Sequence, residues 1–99
     1  MTYADSSERA ALISGLRGLA DYLESNSQVP APIYSTVYAF PDGNWPEMCA
    51  DIDVIAALLG VAVGLTGGGH YVATRSFGPV EYRAVAIPPK NTSDNAESE

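Results

Sequence analysis

One cysteine, one histidine and one lysine in 99 residues leave little room for several kinds of chemistry. Cys49 alone excludes an intramolecular disulfide and supplies too few thiolates for a cysteine zinc site. His70 alone excludes a histidine-rich metal motif, and no calcium-loop spacing is present. Lys90 is the sole lysine; five bases against twelve acids leave a formal charge of −7. That balance argues against non-specific nucleic-acid binding, which rests on neutralising phosphates with Lys and Arg. The longest apolar run, Val54–Val63 with Gly60 inside it, is half of the ~20 residues a membrane helix needs. Met1-Thr2-Tyr3-Ala4-Asp5 has neither the basic start nor the apolar stretch of a signal peptide. The expectation is a cytoplasmic protein with no membrane segment and no cofactor.

What is present suits one small folded domain. Hydrophobic residues make up 46% of the chain and charged residues only 17%, so much of the surface must be neutral or apolar. A surface of that kind favours a partner or self-association. The charge is also unevenly distributed. Residues 8–60 hold two bases and seven acids, whereas residues 61–87 hold two bases and one acid, a slightly basic half.

Residues 1–5 read as a flexible lead. Asp5-Ser6-Ser7-Glu8 matches a capping box, and Leu12, Leu16, Leu19 and Leu23 recur at steps of four, three and four. The pattern predicts a helix from Ser6 to about Ser25. Pro30 and Pro32 then enforce an extended loop. Ile33 to Phe40, rich in β-branched and aromatic residues, reads as a strand with apolar weight on both faces, as an interior strand would have. Asn44-Trp45-Pro46-Glu47 is a second capping box with proline in the first turn. Met48, Ile52, Ile55 and Leu59 repeat the four-three-four stripe, and Gly60 stops the helix.

Three strands are expected after Gly60. Val61 to Leu65 is the first, followed by the flexible turn Thr66-Gly67-Gly68-Gly69. His70 to Phe77 and Val80 to Ile87 form a hairpin across Gly78-Pro79. If Phe77 pairs with Val80, then Arg75 faces Tyr82, Ala73 faces Ala84 and Tyr71 faces Ala86. From Pro88 onward no core residue remains, and residues 88–99 read as a disordered acidic tail. The expected fold is therefore α+β, in the order α-β-α-β-β-β, spanning residues 6–87. Both helices would pack on one face of a four-stranded, mainly antiparallel sheet, the small Ala73, Ala84 and Ala86 letting them approach.

Candidate chemistry is sparse. Gly67-Gly68-Gly69-His70 lacks the following helix and Lys-Ser/Thr of a phosphate loop, so it reads as a hairpin turn. A His70–Cys49 pair could support catalysis or small-ligand binding, with Asp51 nearby. Yet Cys49 beside the Met48 core position reads as a packed thiol. Glu47, Asp51 and Asp53 could be a weak cation site, but acids early in a helix are explained by the macrodipole. The better surface is the sheet. Arg75 and Arg83, with Tyr34 and Tyr38 near, could stack on or pair with an acidic partner; the plainer reading is an ion pair with Glu81 and packing on Tyr82. Tyr34, Tyr38, His70, Arg75 and Arg83 are thus the candidate partner-binding residues, and no residue is assigned as catalytic.

The stretch Ser76-Phe77-Gly78-Pro79-Val80-Glu81-Tyr82-Arg83-Ala84-Val85-Ala86-Ile87-Pro88 has a familiar wording. So does the Leu16–Glu24 helix followed by Val29-Pro30-Ala31-Pro32 and Phe40-Pro41-Asp42-Gly43. Together they resemble small proteins of actinobacteria, their phages and mobile elements, a group with no assigned activity. The likeness spans about Glu8 to Pro88. It implies a bacterial or phage origin and an accessory or regulatory role, and it carries no catalytic residue over. The leading expectation is a non-enzymatic protein-interaction or self-association module. The alternatives are a mobile-element-encoded inhibitor of a host protein, acting as an acidic mimic of nucleic acid, and an enzyme or ligand binder built on His70 and Cys49.

Overall fold

The structure is a computed structural model and describes residues 3–89. The expected tail, residues 88–99, lies outside the described residues except for Pro88 and Pro89. The elements are α1 (Ser6–Ser25), β1 (Ser35–Ala39), α2 (Trp45–Leu59), β2 (Gly64–Leu65), β3 (Tyr71–Phe77) and β4 (Val80–Ala86). This is an α+β fold in the expected order. The four strands form one sheet in the order β1-β4-β3-β2. β3 pairs antiparallel with β2 and with β4, whereas β1 pairs parallel with β4.

Both helices start as their capping boxes dictate. The Asp5 carboxylate accepts from the Glu8 amide at 2.7 Å, and the Glu8 side chain accepts from the Asp5 amide at 2.9 Å. Asn44 and Glu47 make the same reciprocal pair at 2.9 and 2.8 Å. Each box satisfies two of the amides that a helix start leaves without partners. Gly60, in the left-handed region at φ 73°, ends α2. The Val61 amide then reaches back to the Ala56 carbonyl at 3.0 Å, closing the carboxyl end.

The β3–β4 hairpin has the register that pairs Phe77 with Val80, through Ala73 with Ala84 to Tyr71 with Ala86. Gly78, at φ 65°, supplies the left-handed backbone of its turn. Ala73, Ala84 and Ala86 are fully buried, and Ile52 and Ala56 of α2 pack onto them. Small side chains on the sheet bring the helix close, so the core is alanine under isoleucine. Trp45, Met48, Ile55, Leu59, Tyr71 and Tyr82 surround it, partly buried.

Three details differ from the sequence expectation. β1 is an edge strand and not an interior one, because it pairs with β4 alone. Its aromatic weight is taken up locally, the Tyr38 and Phe40 rings stacking at 5.7 Å and 11°. The strand expected from Val61 pairs only over Gly64–Leu65. Val61 and Val63 are instead drawn against the core under α2. The third difference concerns α1. α2 packs on the sheet as expected, but among the described residues no helix or strand packs against α1. All of its residues are exposed except Leu23, which is half-buried. The leucine spacing specifies an apolar face but not what covers that face, and the alanine platform over β3 and β4 has room for one helix.

Candidate interaction surfaces

Side chains of the sheet divide between two faces. Ala73, Arg75 and Phe77 of β3 share the α2 side with Val80, Tyr82 and Ala84 of β4 and with Val37 of β1, as the register requires. Arg83, Glu81, Thr36 and Tyr38 lie on the open side. Arg75 and Arg83 therefore occupy opposite faces and do not act together. Arg75 donates from Nη1 to the Leu59 carbonyl at 2.8 Å, a cation closing the carboxyl end of α2, and lies 5.6 Å from the Phe77 ring. Its role is to hold α2 on the sheet.

Three of the five candidate residues do converge. Tyr34, Tyr38 and Arg83 line an open depression of about 500 Å³ on the bare face, with Thr36, Pro79 and Glu81. Arg83 forms an ion pair with Glu81 at 3.3 Å along the same strand, and Glu81 also accepts from the Ser76 hydroxyl at 3.4 Å. The Arg83 Nε is buried without a hydrogen-bond partner. Beneath, Val72 and Val85 face each other across the hairpin and are buried. His70 is elsewhere, half-buried in the turn before β3. Its carbonyl accepts from the Thr66 amide at 3.0 Å, and a Cβ on Gly68 would approach its Nε2 to 3.2 Å. The ring thus lies over Gly68.

No described hydrogen bond joins His70 to Cys49. The thiol lies on α2 near Asp53, and desolvation, then the Asp53 charge, push its pKa up, the opposite of an activated nucleophile. The acids of α2 are each engaged separately. Glu47 closes the capping box, Asp51 accepts from the Tyr3 hydroxyl at 3.4 Å, and Asp53 accepts from the Tyr71 hydroxyl at 2.5 Å. Among the described residues, no three His, Cys, Asp or Glu side chains cluster closely enough to hold a metal ion. Among the described residues, no helix is long and apolar enough to cross a membrane.

A second surface lies on the α2 side of the sheet. There the amino-terminal half of α1 faces the part of the sheet that α2 leaves uncovered, across an open groove of about 760 Å³. Leu12, Ile13 and Leu16 form one wall; Val37, Val80 and Tyr82 form the floor; Ile55 and Leu58 of α2 form the far side. Leu58 is 82% exposed and Leu12 51%. Tyr3 braces the amino-terminal end through Asp51, and burial, then the Asp51 charge, push its hydroxyl up to about 12. The apolar stripe of α1 continues beyond the groove through Leu19 and Tyr22, 54% and 55% exposed.

Sequence reasoning named the tyrosines and arginines but passed over this groove. A signal existed: two helices carry equivalent apolar stripes, while one patch of three buried alanines suits one of them. No protein-family model, curated protein or solved structure matches the chain.

Proposed function

We propose that this protein is a non-enzymatic association module that presents the apolar stripe of α1, with the groove beside it, to a protein partner. The observation that carries the reading is a well-capped helix whose leucine stripe packs against no other helix or strand among the described residues. Leucines exposed in series on one face cost solubility, and a contiguous apolar surface of this kind marks a contact site. A helix dependent on its own propensity is marginal in water; most helices are stabilised by packing an apolar face. The groove supplies a pocket for side-chain anchors, as helix-in-groove recognition requires.

Site-specific photo-cross-linking in cells tests this reading. A photoreactive residue at Leu19, on the stripe, should form discrete protein adducts, whereas one at Ser14, on the outer face, should not. Absence of adducts from Leu12, Leu16 and Leu19 alike would overturn the reading.

A further inference from the structure

We infer that the occupant of this surface is a second copy of the same chain, with two α1 helices pairing antiparallel about a twofold axis near Arg17 and Gly18. The inference rests on the association reading above and names its partner. In such a pair, residue numbers of opposed positions sum to 35. Leu12 meets Leu23 of the second copy, and Leu16 meets its Leu19. Flanking positions contact two residues off that sum, at 33 on one side of the seam and 37 on the other, so Ile13 lies beside Ala20 and Tyr22 beside Gly15. Each bulky flank thus meets a small one in the antiparallel pair.

Charge selects the same direction. From Ala10 to Leu23 the seam carries no charge, and Arg9 ends it. A parallel pair would set Arg9 against Arg9 at the seam. The antiparallel pair sets Arg9 against Asn26 of the second copy, within a turn of its Glu24. Antiparallel pairing also explains the groove. Leu12 and Leu16 form its wall, so the helix lying against them would insert its Leu19 and Leu23 between that wall and the floor at Val37 and Tyr82. Twofold symmetry fills both grooves in one step, as an isologous interface must.

The area is sufficient. Leu12, Ile13, Leu16, Leu19 and Tyr22, exposed by 40–55%, offer on the order of 500 Å² per copy. Two copies then bury about 1,000 Å², the lower bound for a specific interface, before the groove is included.

Sedimentation velocity from micromolar to millimolar concentration is the test. The expected result is a monomer–dimer equilibrium that Leu16→Asp with Leu19→Asp abolishes and that Ser14→Asp on the outer face leaves intact. α1 contributes nothing to the core, so all variants should keep the same thermal transition at concentrations that hold the chain monomeric. Register is read in a Cys49→Ser background. Mixed Leu12→Cys and Leu23→Cys chains should form a disulfide on mild oxidation, whereas Leu12→Cys alone should not, its two copies lying about 16 Å apart along the axis. A strict monomer throughout, a dimer indifferent to the double substitution, or cross-linking by Leu12→Cys alone would each overturn the inference. A strict monomer whose α1 stripe still cross-links to a different protein in cells would overturn this inference and leave the association reading standing.

Discussion

α1 and α2 follow nearly the same sequence rules and have opposite environments. Both open on a reciprocal capping box, and both carry apolar residues at steps of four, three and four. Yet α2 seats Ile52 and Ala56 against three buried alanines, while α1 buries no residue. The difference lies in what each helix meets and not in the helices themselves. Ala73, Ala84 and Ala86 form a flat patch that accepts one close helix, and α2 is tied there at both ends of its contact. Tyr71 bonds Asp53 and Arg75 caps the Leu59 carbonyl. α1 is fastened to the rest of the domain through the lead, where Tyr3 bonds Asp51. Amphipathicity is thus a statement about one partner in a contact.

The sharpest way to break that comparison is to delete the equivalent side chain from each stripe. Ile52→Ala removes the one large side chain that is fully buried among the described residues and should cost about 2–5 kcal/mol, lost transfer energy plus the cavity. Leu16→Ala, at the equivalent step of α1, should stay within ~0.5 kcal/mol, because little apolar area leaves or enters water. Urea denaturation at dilution, where association is suppressed, reads both. Equal costs would mean that α1 is packed on the domain in solution.

Local features were legible in the sequence because local physics decides them. Capping boxes, the Gly60 stop and the hairpin register follow from side chains within a few residues, and the alternation of alanines identifies the core face of the sheet. The parallel pairing of β1 with β4 was not legible. It joins Ser35 to Val80 across the whole domain, and no pattern within either strand distinguishes a central position from an edge. The candidate site was legible in part. Tyr34, Tyr38 and Arg83 share a surface because alternation puts Tyr38 and Arg83 on the bare face. Arg75 was misplaced on that surface although the hairpin register puts it on the side of Ala73. The unpartnered state of α1 could not be read from a stripe that equally suits burial.

The caps give a smaller contrast of the same kind. Asn44→Ala strips a bond from the Glu47 amide at the start of a packed helix, and should lower global stability by ~1 kcal/mol. Asp5→Ala removes the equivalent bond from α1. Since α1 folds without support from the core, the loss should appear as reduced helical circular dichroism and faster amide exchange over the first turns, with the global midpoint unchanged. A shift of that midpoint by Asp5→Ala matching that of Asn44→Ala would show that the two helices unfold as one unit.

The smallest effect concerns the link that holds α1 near the domain. The Tyr3 hydroxyl is raised from 10.0 to about 12 by burial and then by the Asp51 charge. The neutral hydroxyl is therefore favoured in the folded state, while the unfolded chain ionises first. The resulting stability is complete below pH 10, declines as pH rises from 10 toward 12, and is lost above that. Tyr3→Phe should remove this alkaline limb. At neutral pH it should cost less than ~1 kcal/mol, because the 3.4 Å bond to Asp51 is long and partly solvated. Melting curves of the two proteins at a series of alkaline pH values should converge, since only the native chain loses a favourable contact by ionisation. Parallel curves would place Tyr3 in solvent, and α1 would then have no side-chain tie to α2 through the lead.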